Sequence, residues 1–600
     1  MAEKFASERN LKFLLYEVHD IEALTKLPYY QEHNREIFDL VLDTAFKLGR
    51  DLLYPSFSEM DKKPPEFAGG TCRVHPSVRA FMEACGEGGW IGAAAPVELG
   101  GQELPLTLMS AVRFVFTAAN YSLSIYPLLT TGAAHLIEAF GSPEMIETYI
   151  PNMFAGKWQG TMALTEPQAG SSLADIVTMA EPTEAGYYKL KGQKIFISAG
   201  DHDGVDNVIH LMLAKIKGAP AGVRGISLFV VPKLRLDESG SLVPNDVVLA
   251  GIYHKLGYRG APITQLSLGE NDDCRGWLVG QPHQGLPYMF QMMNEARLDV
   301  GMSAAGIASA AYYASLEYAK ERLQGRKLTS KDPTLPQVPI IEHPDIKRLL
   351  LFQRSVFEGA LSLILKCDLY GDLARLGGEA GEKYALLLDL LTPVAKTYPS
   401  EMGVLSTSAG LQILGGYGYC DEFPLEQYFR DSRIHPIHEG TTGIHGLDLL
   451  GRKVTIKSGR AYQLFLAEVE ETIRQVGGQK GLSDLVGKMD EALSLLKRVT
   501  DSLLGVAAKG DTERFLADAT VYLEFFSLVA VGWQWLVQAA AAARALEKGA
   551  QGQEAAFYRG KLVTARFFFG YELCKTEGLA KRLTEADGLT VSAGIEAFTD

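Results

Sequence analysis

Apolar positions recur at helical spacing over residues 34–53 and 107–119, so the first 160 residues are expected to be mostly helical. The segment "GSPEMIETYIPNMFAG" adds a start signal, with Ser142 as N-cap and Pro143 as the first helical residue. From about residue 160 to 280 the pattern changes. "YYKLKGQKIFISAG", "VIHLMLAKI", "GISLFVVPKL" and "ITQLSLGE" are short alternating or β-branched runs between Gly, Pro and Asp turns, which predicts antiparallel strands. No helical stretch separates them, so a small barrel or sandwich is expected rather than a doubly wound sheet. After Gln281 the helical period returns, over residues 298–323, then from Pro344 to the Gly377-Gly378 stop, then over 384–391 and 400–415. Long helices with short breaks predict a bundle. One longer break, "GRKLTSKDPTLPQVPI" at residues 325–340, has three prolines and reads as a surface loop. From residue 458 further amphipathic helices follow. The fold class is therefore α+β, mainly α, in four segments: a helical domain at 1–160, a β domain at 161–280, a helical bundle at 281–455 and a helical extension at 456–600.

One apolar run tests this picture. Residues 525–543, "FFSLVAVGWQWLVQAAAAA", carry no charge and are long enough to cross a membrane. They include Ser527, Gln534 and Gln538 and are rich in alanine, so a buried bundle helix is expected and membrane association is not. With 600 residues, 47% apolar and 22% charged, the chain has the balance of a folded soluble protein. A net charge of −14 argues against nucleic acid as a partner, and the extension, with 17 basic and 19 acidic residues after position 454, has no basic face to offer one. Six cysteines, at 72, 85, 274, 367, 420 and 574, form no C-x-x-C pair, so free thiols in a reducing cytoplasm are expected. The charged N-terminus leads into no apolar core of a secretory signal.

Three stretches carry candidate chemistry. "MALTEPQAGSSLADI" offers the Thr165 hydroxyl and a Gly170-Ser171-Ser172 turn whose N–H groups can approach an acceptor-rich ligand. In "KGQKIFISAGDHD", Phe196 and Ser198 share one strand face, where an aromatic ring could stack on a planar cofactor or simply join the core. In "LQILGGYGYCDEFPLEQYFRDSRIHPIHEGTT", the glycines follow no strand and do not form a Rossmann fingerprint. His435 and His438 flank Pro436 without a third ligand, so no metal is expected. Glu439 stands alone among small residues that let other groups come close.

Taken in order, "ALTEPQAGS", "GQKIFIS", "HKLGYRGAP", "NEARLDVGMSAAGIA", "YAKERLQG", "QILGGYGY" and "HEGTTGIHGLDLLGR" resemble the acyl-CoA dehydrogenase family of flavoproteins. The length and extension resemble its long branch, which includes 3-methylthiopropionyl-CoA dehydrogenase. The resemblance implies an N-terminal helical domain, a middle antiparallel β domain and a C-terminal four-helix bundle, followed here by an extra helical domain. It implies FAD as cofactor and removal of hydrogen from Cα and Cβ of an acyl-CoA, giving the trans-2-enoyl-CoA. Glu439 matches the base that takes the α-proton while hydride leaves Cβ for flavin N5. A desolvated site would raise its pKa, and the Glu439 N–H and a ribityl hydroxyl are the implied donors to the thioester oxygen. Some relatives carry the base immediately before an arginine that matches Arg297. Ala296 stands there, and Glu295 is one position off, about 100° around a helix.

For FAD, the resemblance implies Thr165, Gly170, Ser171, Phe196 and Ser198 around the ring system. Arg322 and Gln324, with Gln412, Gly415 and Gly416, match segments that reach the pyrophosphate and adenosine across a subunit boundary, and Thr441 matches the residue after "EG". Ser171, Arg297, His438 and Gly440 are implied on the substrate side. A homodimer or dimer of dimers and electron-transfer flavoprotein are the implied partners, in β-oxidation of fatty acids. Two departures stand out: His438 replaces a common Tyr, making the pocket beside the thioester more polar and open to titration, and Ser172 replaces a frequent Asp. An acyl-CoA oxidase using O₂ is the nearest rival; a nucleic-acid-binding or non-catalytic relative is the more distant one.

Overall fold

The start signal at Ser142 is present as a cap in the computed structural model, which describes residues 4–330 and 332–600, and Asn120 is a second cap that the sequence reading did not name. Ser142 accepts from the Met145 N–H at the head of helix Pro143–Phe154, and Asn120 accepts from Leu123 at the head of helix Tyr121–Phe140. The chain divides into two compact units. One comprises Glu36–Pro105 and Val115–Ala296; the other comprises residues 4–35, Leu106–Phe114 and Arg297–Asp600.

The first unit is built on a sheet in which Val247–Ile252, Ile263–Leu268, Tyr188–Ser198, Arg275–Leu278, Ile226–Pro232, Asn207–Ile216 and Trp158–Ala163 lie side by side in that order. Strand Met179–Pro182 pairs with both Tyr188–Ser198 and Asn207–Ile216 and so closes part of the sheet into a ring, the expected small barrel. The pairing is not antiparallel throughout. Trp158–Ala163 and Met179–Pro182 both run parallel to Asn207–Ile216, which the intervening stretches of chain are long enough to permit. Strand Asn207–Ile216 reads as an unbroken apolar run because both faces are covered. Leu211 and Leu213 pack with Ala133, Leu136 and Ile137 of helix Tyr121–Phe140, while Met212 and Ala214 pack with Phe229, Leu266 and Leu268. Gly160 lets that helix ride close on the sheet, since a Cβ there would lie 2.6 Å from the Ala133 methyl.

The second unit is helical. Helices Pro344–Ala374 and Gly378–Leu414 form a hairpin through Gly377, whose φ of 67° suits the turn. Helix Gly285–Glu321 begins well before the residue 298 expected from its alanines, with Pro287 tolerated in its first turn; its residues up to Ala296 belong to the first unit, where Met289 and Met292 are core residues. The loop at residues 325–340 is closed by a bridge between Leu323 and Pro339, residue 331 lying outside the described residues. After the short helices Leu425–Ser432 and Thr442–Asp448, the extension supplies Ile456–Val476, Ser483–Ala507, Ala519–Glu547, Gly552–Phe567 and Thr576–Glu585.

The apolar run at 525–543 is the middle of Ala519–Glu547, and 94% of its most apolar window is buried in protein. It docks on the hairpin, where Trp535 Nε1 donates to the Ser355 carbonyl (3.0 Å) and the Ser362 hydroxyl to Gln534 Oε1 (2.9 Å). Its first turn also abuts helix Thr442–Asp448, for a Cβ on Gly446 would lie 2.8 Å from the Ala519 backbone. The extension is thus part of the packing behind the segment that carries Glu439.

Candidate active site

In the first unit the chain leaving strand Trp158–Ala163 is tied to strand Tyr188–Ser198 by the Ile195 N–H, which donates to the Thr165 carbonyl (2.9 Å). Beside it lies a buried ion pair, Lys194 Nζ to Glu166 Oε1 at 2.8 Å. Lys194 also donates to the carbonyls of Leu164 and Leu213, and Glu166 accepts the N–H groups of Val177 and Thr178. Burial lowers the Lys194 pKa to about 8. For Glu166 burial works upward, but Lys194 and the hydrogen bonds outweigh it and hold the carboxyl below its ordinary value. This clamp fixes Thr165 next to the strand that carries Phe196.

Ile195 and Ile197 are buried, whereas Phe196 is 57% exposed and Ser198 half-buried, so the expected sharing of one outward face is present. Phe196 has a φ of 57°, a conformation costing a non-glycine residue about 1–2 kcal/mol. The strand pairing shifts register just opposite, between Thr264 and Leu266. Such strain clusters at functional sites. The Phe196 ring stacks on Tyr253 (4.6 Å, 26°), and the Ser198 hydroxyl lies 3.1 Å from that of Tyr258. Gly170 opens onto free space and Ser171 is exposed.

In the second unit, the loop between helices Leu425–Ser432 and Thr442–Asp448 presents Glu439. Thr441 caps the second helix by accepting the Ile444 N–H. Glu439 (φ 54°) and Gly440 (φ 94°) are consecutive left-handed residues, and any Cβ at 440 would meet the His445 ring at 2.8 Å. The carbonyls face inward: Lys396 Nζ donates to those of His435 (2.7 Å) and Gly440 (2.8 Å), and His445 Nε2 donates to that of Glu439 (3.1 Å). Among the described residues, neither the Glu439 carboxylate nor its N–H has a hydrogen-bond partner. Burial raises the Glu439 pKa above 4.5, with Arg297 and Lys396 pulling the other way. Arg297 is 5% exposed and its Nη1 is 3.7 Å from Asp448 Oδ2.

The expectation that His438 titrates is overturned. Burial, with His435 and Lys396 nearby, pushes its pKa well below 6.5, so the ring is neutral. Its Nε2 is buried without a partner among the described residues. His435 is likewise held neutral by burial, with a pKa near 3, and its Nδ1 donates to the Ser432 carbonyl.

The remaining sequence candidates gather on the same unit. Arg322, Gln324, Gln412, Gly415, Gly416 and Thr441 are all exposed, and the Arg322 guanidinium lies 6.0 Å over the Tyr417 ring, bringing the first two segments together. Sequence reasoning missed Lys396, His445, Tyr258 and the Glu166–Lys194 clamp. The one available signal for Lys396 was a lysine inside an apolar helical run, "LLTPVAKTYPS".

Comparison with known proteins follows the same order along the chain. Family models match for the acyl-CoA dehydrogenase N-terminal domain (residues 41–157), middle domain (161–270) and C-terminal domain (283–454), and for the acetyl-CoA dehydrogenase C-terminal like domain (465–593). A butyryl-CoA dehydrogenase of Syntrophomonas wolfei is 35% identical over 98% of both chains. A 3-methylmercaptopropionyl-CoA dehydrogenase of Ruegeria pomeroyi is 33% identical over 98% of this chain and 99% of its own. Caenorhabditis elegans ACDH-11, solved in complex with C11-CoA, superposes with a TM-score of 0.77 at 21% identity, over 100% of this chain and 96% of that one, and so shares the fold. Matched from end to end in this way, the chain belongs to the acyl-CoA dehydrogenase family of flavin-dependent oxidoreductases.

Proposed function

We propose that this enzyme dehydrogenates a short acyl-CoA thioester to its trans-2-enoyl-CoA, with Glu439 as the base that removes the α-proton. The observation that carries the reading is the Glu439 carboxylate itself: half-buried, raised in pKa and given no hydrogen bond by the described residues, on a loop in two consecutive left-handed conformations. A carboxylate held at that cost suits proton abstraction near neutral pH. Its unspent N–H is available to the thioester oxygen as enolate charge develops.

FAD fits the residues present: an exposed strained aromatic at Phe196, hydroxyls at Thr165 and Ser198, and open space at Gly170 beside Ser171. When bound it supplies the acceptor for the hydride leaving Cβ. As the Cα–H and Cβ–H bonds break and the C=C bond forms, Glu439 gains one proton, which it returns to solvent before the next turnover. Thr441, with the exposed face of Arg322, Gln324, Gln412, Gly415 and Gly416, suits the polar end of the cofactor, and exposure of that face supports a homodimer in which it serves a second copy. In the second unit His438, neutral and with an Nε2 that has no partner among the described residues, Arg297 and Gly440 are the proposed acyl-thioester contacts, and in the first unit Ser171 is another. Both named relatives above act on acyl groups with short chains, butyryl and methylmercaptopropionyl, which supports a short substrate here. Electron-transfer flavoprotein is the proposed acceptor.

Anaerobic bleaching of the bound flavin by a panel of acyl-CoAs, beside Glu439→Gln, tests the reading. Butyryl-CoA or 3-methylthiopropionyl-CoA should bleach the native protein, and the variant should be about 10²–10⁴-fold slower. No bleaching by any acyl-CoA, or equal rates in the two proteins, refutes it. Rapid reoxidation by O₂ with peroxide release would replace electron-transfer flavoprotein by the oxidase reaction.

A further inference from the structure

We infer that Lys396 is a positioning residue for the base: its buried ammonium holds the carbonyls on both sides of Glu439 and supplies the positive charge against which that carboxylate ionises. The inference rests on the reading of Glu439 as the base. Lys396 is fully buried in the middle of helix Gly378–Leu414, between Pro393 and Pro399, neither of which has an N–H to continue the helical bonding. Its two hydrogen bonds reach across to the loop, to the carbonyls of His435 and Gly440, residues on either side of the base.

Two other fully buried lysines set the contrast. Lys194 and Lys561 each touch a carboxylate, Glu166 at 2.8 Å and Glu358 at 3.0 Å. Lys396 touches none among the described residues, and its compensation comes from carbonyls and from the field of Glu439 and Glu401. A buried cation without a contact ion pair is costly. Here the carbonyls turn toward the ammonium, the Glu439 N–H is left unspent, and the carboxylate keeps a positive charge nearby without being quenched by a direct bond.

The groups bearing on this pair are Arg297 on helix Gly285–Glu321, Glu401 on the lysine's own helix, His435 and His438 in the loop, and His445 and Asp448 on helix Thr442–Asp448. The three histidines are held neutral by burial. Arg297 is the other cation, so loss of Lys396 weakens the support of Glu439 without removing it.

The test is Lys396→Met in the FAD-loaded enzyme. The rate of flavin reduction at saturating acyl-CoA should fall about 10–100-fold, as expected for a misplaced catalytic group, while acyl-CoA binding changes less than about 3-fold. The acid limb of the pH–rate profile should move to higher pH, because the carboxylate has lost a cation. Lys396→Arg, which keeps the charge, should return that limb towards its native position. Lys396→Met with native rate and an unmoved limb, or with lost binding in place of lost rate, overturns the inference. Should the methionine variant not fold, the native profile and Lys396→Arg decide. Lys396 has a pKa of about 8, so the native rate should decline as pH rises through that region, and the decline should shift upward in the arginine variant. The same decline in both overturns the inference. If Glu439→Gln is as fast as native, the reading of the base has failed; if that variant is dead and Lys396→Met is native-like, the Lys396 inference alone has failed.

Discussion

Glu358 and Glu439 are both acids of the helical unit, the first buried and the second half-buried, and desolvation alone pushes both pKa values up. They end with opposite shifts. Glu358 sits in helix Pro344–Ala374 with Arg354 Nε on Oε1 (3.0 Å) and Lys561 Nζ on Oε2 (3.0 Å), and Lys561 in turn reaches Asn10 and Gln538. Burial is its largest influence, but the two cations and their hydrogen bonds overcome it and hold the carboxyl below 4.5. Glu439 has cations in its field and none in contact, so burial wins. One acid ties the extension and the N-terminal segment to the bundle; the other, the proposed base, has no cation in contact among the described residues. Direct contact with a cation, rather than the mere presence of one, separates the structural role of Glu358 from the role proposed for Glu439.

The largest effects should therefore fall on different observables. Glu439→Gln should slow flavin reduction about 10²–10⁴-fold, whereas Glu358→Gln should leave the rate per folded molecule close to native. Stability should order them the other way. Lys561→Met leaves Glu358 with Arg354 alone in a dry site and breaks contact with Asn10, so it should destabilise by about 3–5 kcal/mol, the range for breaking a buried pair from one side. Denaturant midpoints, read beside flavin-reduction rates of the surviving folded fraction, check this. A Lys561→Met protein as stable as native would mean that the network is not what holds the extension in place.

A smaller effect sharpens the comparison through pH. Glu358, lowered below 4.5, contributes stability that is present above 4.5 and is lost as pH falls through its folded value. Glu439, raised above 4.5, runs the other way, its folded form being favoured at low pH and penalised as pH rises through its folded value. At pH 7.5 the Glu439→Gln protein should therefore be more stable than native and Glu358→Gln less stable, with both differences shrinking on acidification. Thermal melts of the three proteins from pH 7.5 to 4.5 read the two signs directly. A destabilised Glu439→Gln at pH 7.5 would show that the base is satisfied by the fold after all.

How much of this was legible before the fold was known depends on where partners come from. The strand ring, the bundle and the buried course of residues 525–543 follow from period and composition, which are local properties. The "HEGTTG" stretch was legible because its glycines and its acid are adjacent in sequence. Apolar and small neighbours around an acid did not suffice, since Glu358 in "SVFEGALSL" has them too, and only Arg354 four residues earlier hints at its structural role. The partners that divide these acids, Lys396 for one and Lys561 for the other, come from distant helices and meet them only through tertiary packing. The same holds for His438, whose neutrality follows from burial, and for the parallel pairings of strand Asn207–Ile216, which no alternation pattern distinguishes from antiparallel ones.

The smallest expected effect is on the cap of the base loop. Thr441 closes helix Thr442–Asp448, which is only seven residues long, through a 3.4 Å contact from the Ile444 N–H. A bond that long is near the limit of useful geometry, so Thr441→Ala should cost about 0.5–1 kcal/mol, the low end for an N-cap. In a protein of 600 residues that loss barely moves the melting temperature, and the Glu358 network, remote in sequence from this helix, should keep its stability unchanged. The loop is different. Gly440 and Glu439 enter the helix through this cap, and their left-handed conformations need the following turn to stay formed. Flavin reduction should accordingly slow several-fold while the melt stays within about a degree or two of native. Thr441→Ser keeps the hydroxyl and should recover most of the rate, and measuring FAD content in each variant separates loss of the cap from loss of cofactor. Equal rates for alanine and serine, at equal FAD content, would show that Lys396 and His445 hold the loop whether or not Thr441 makes the cap.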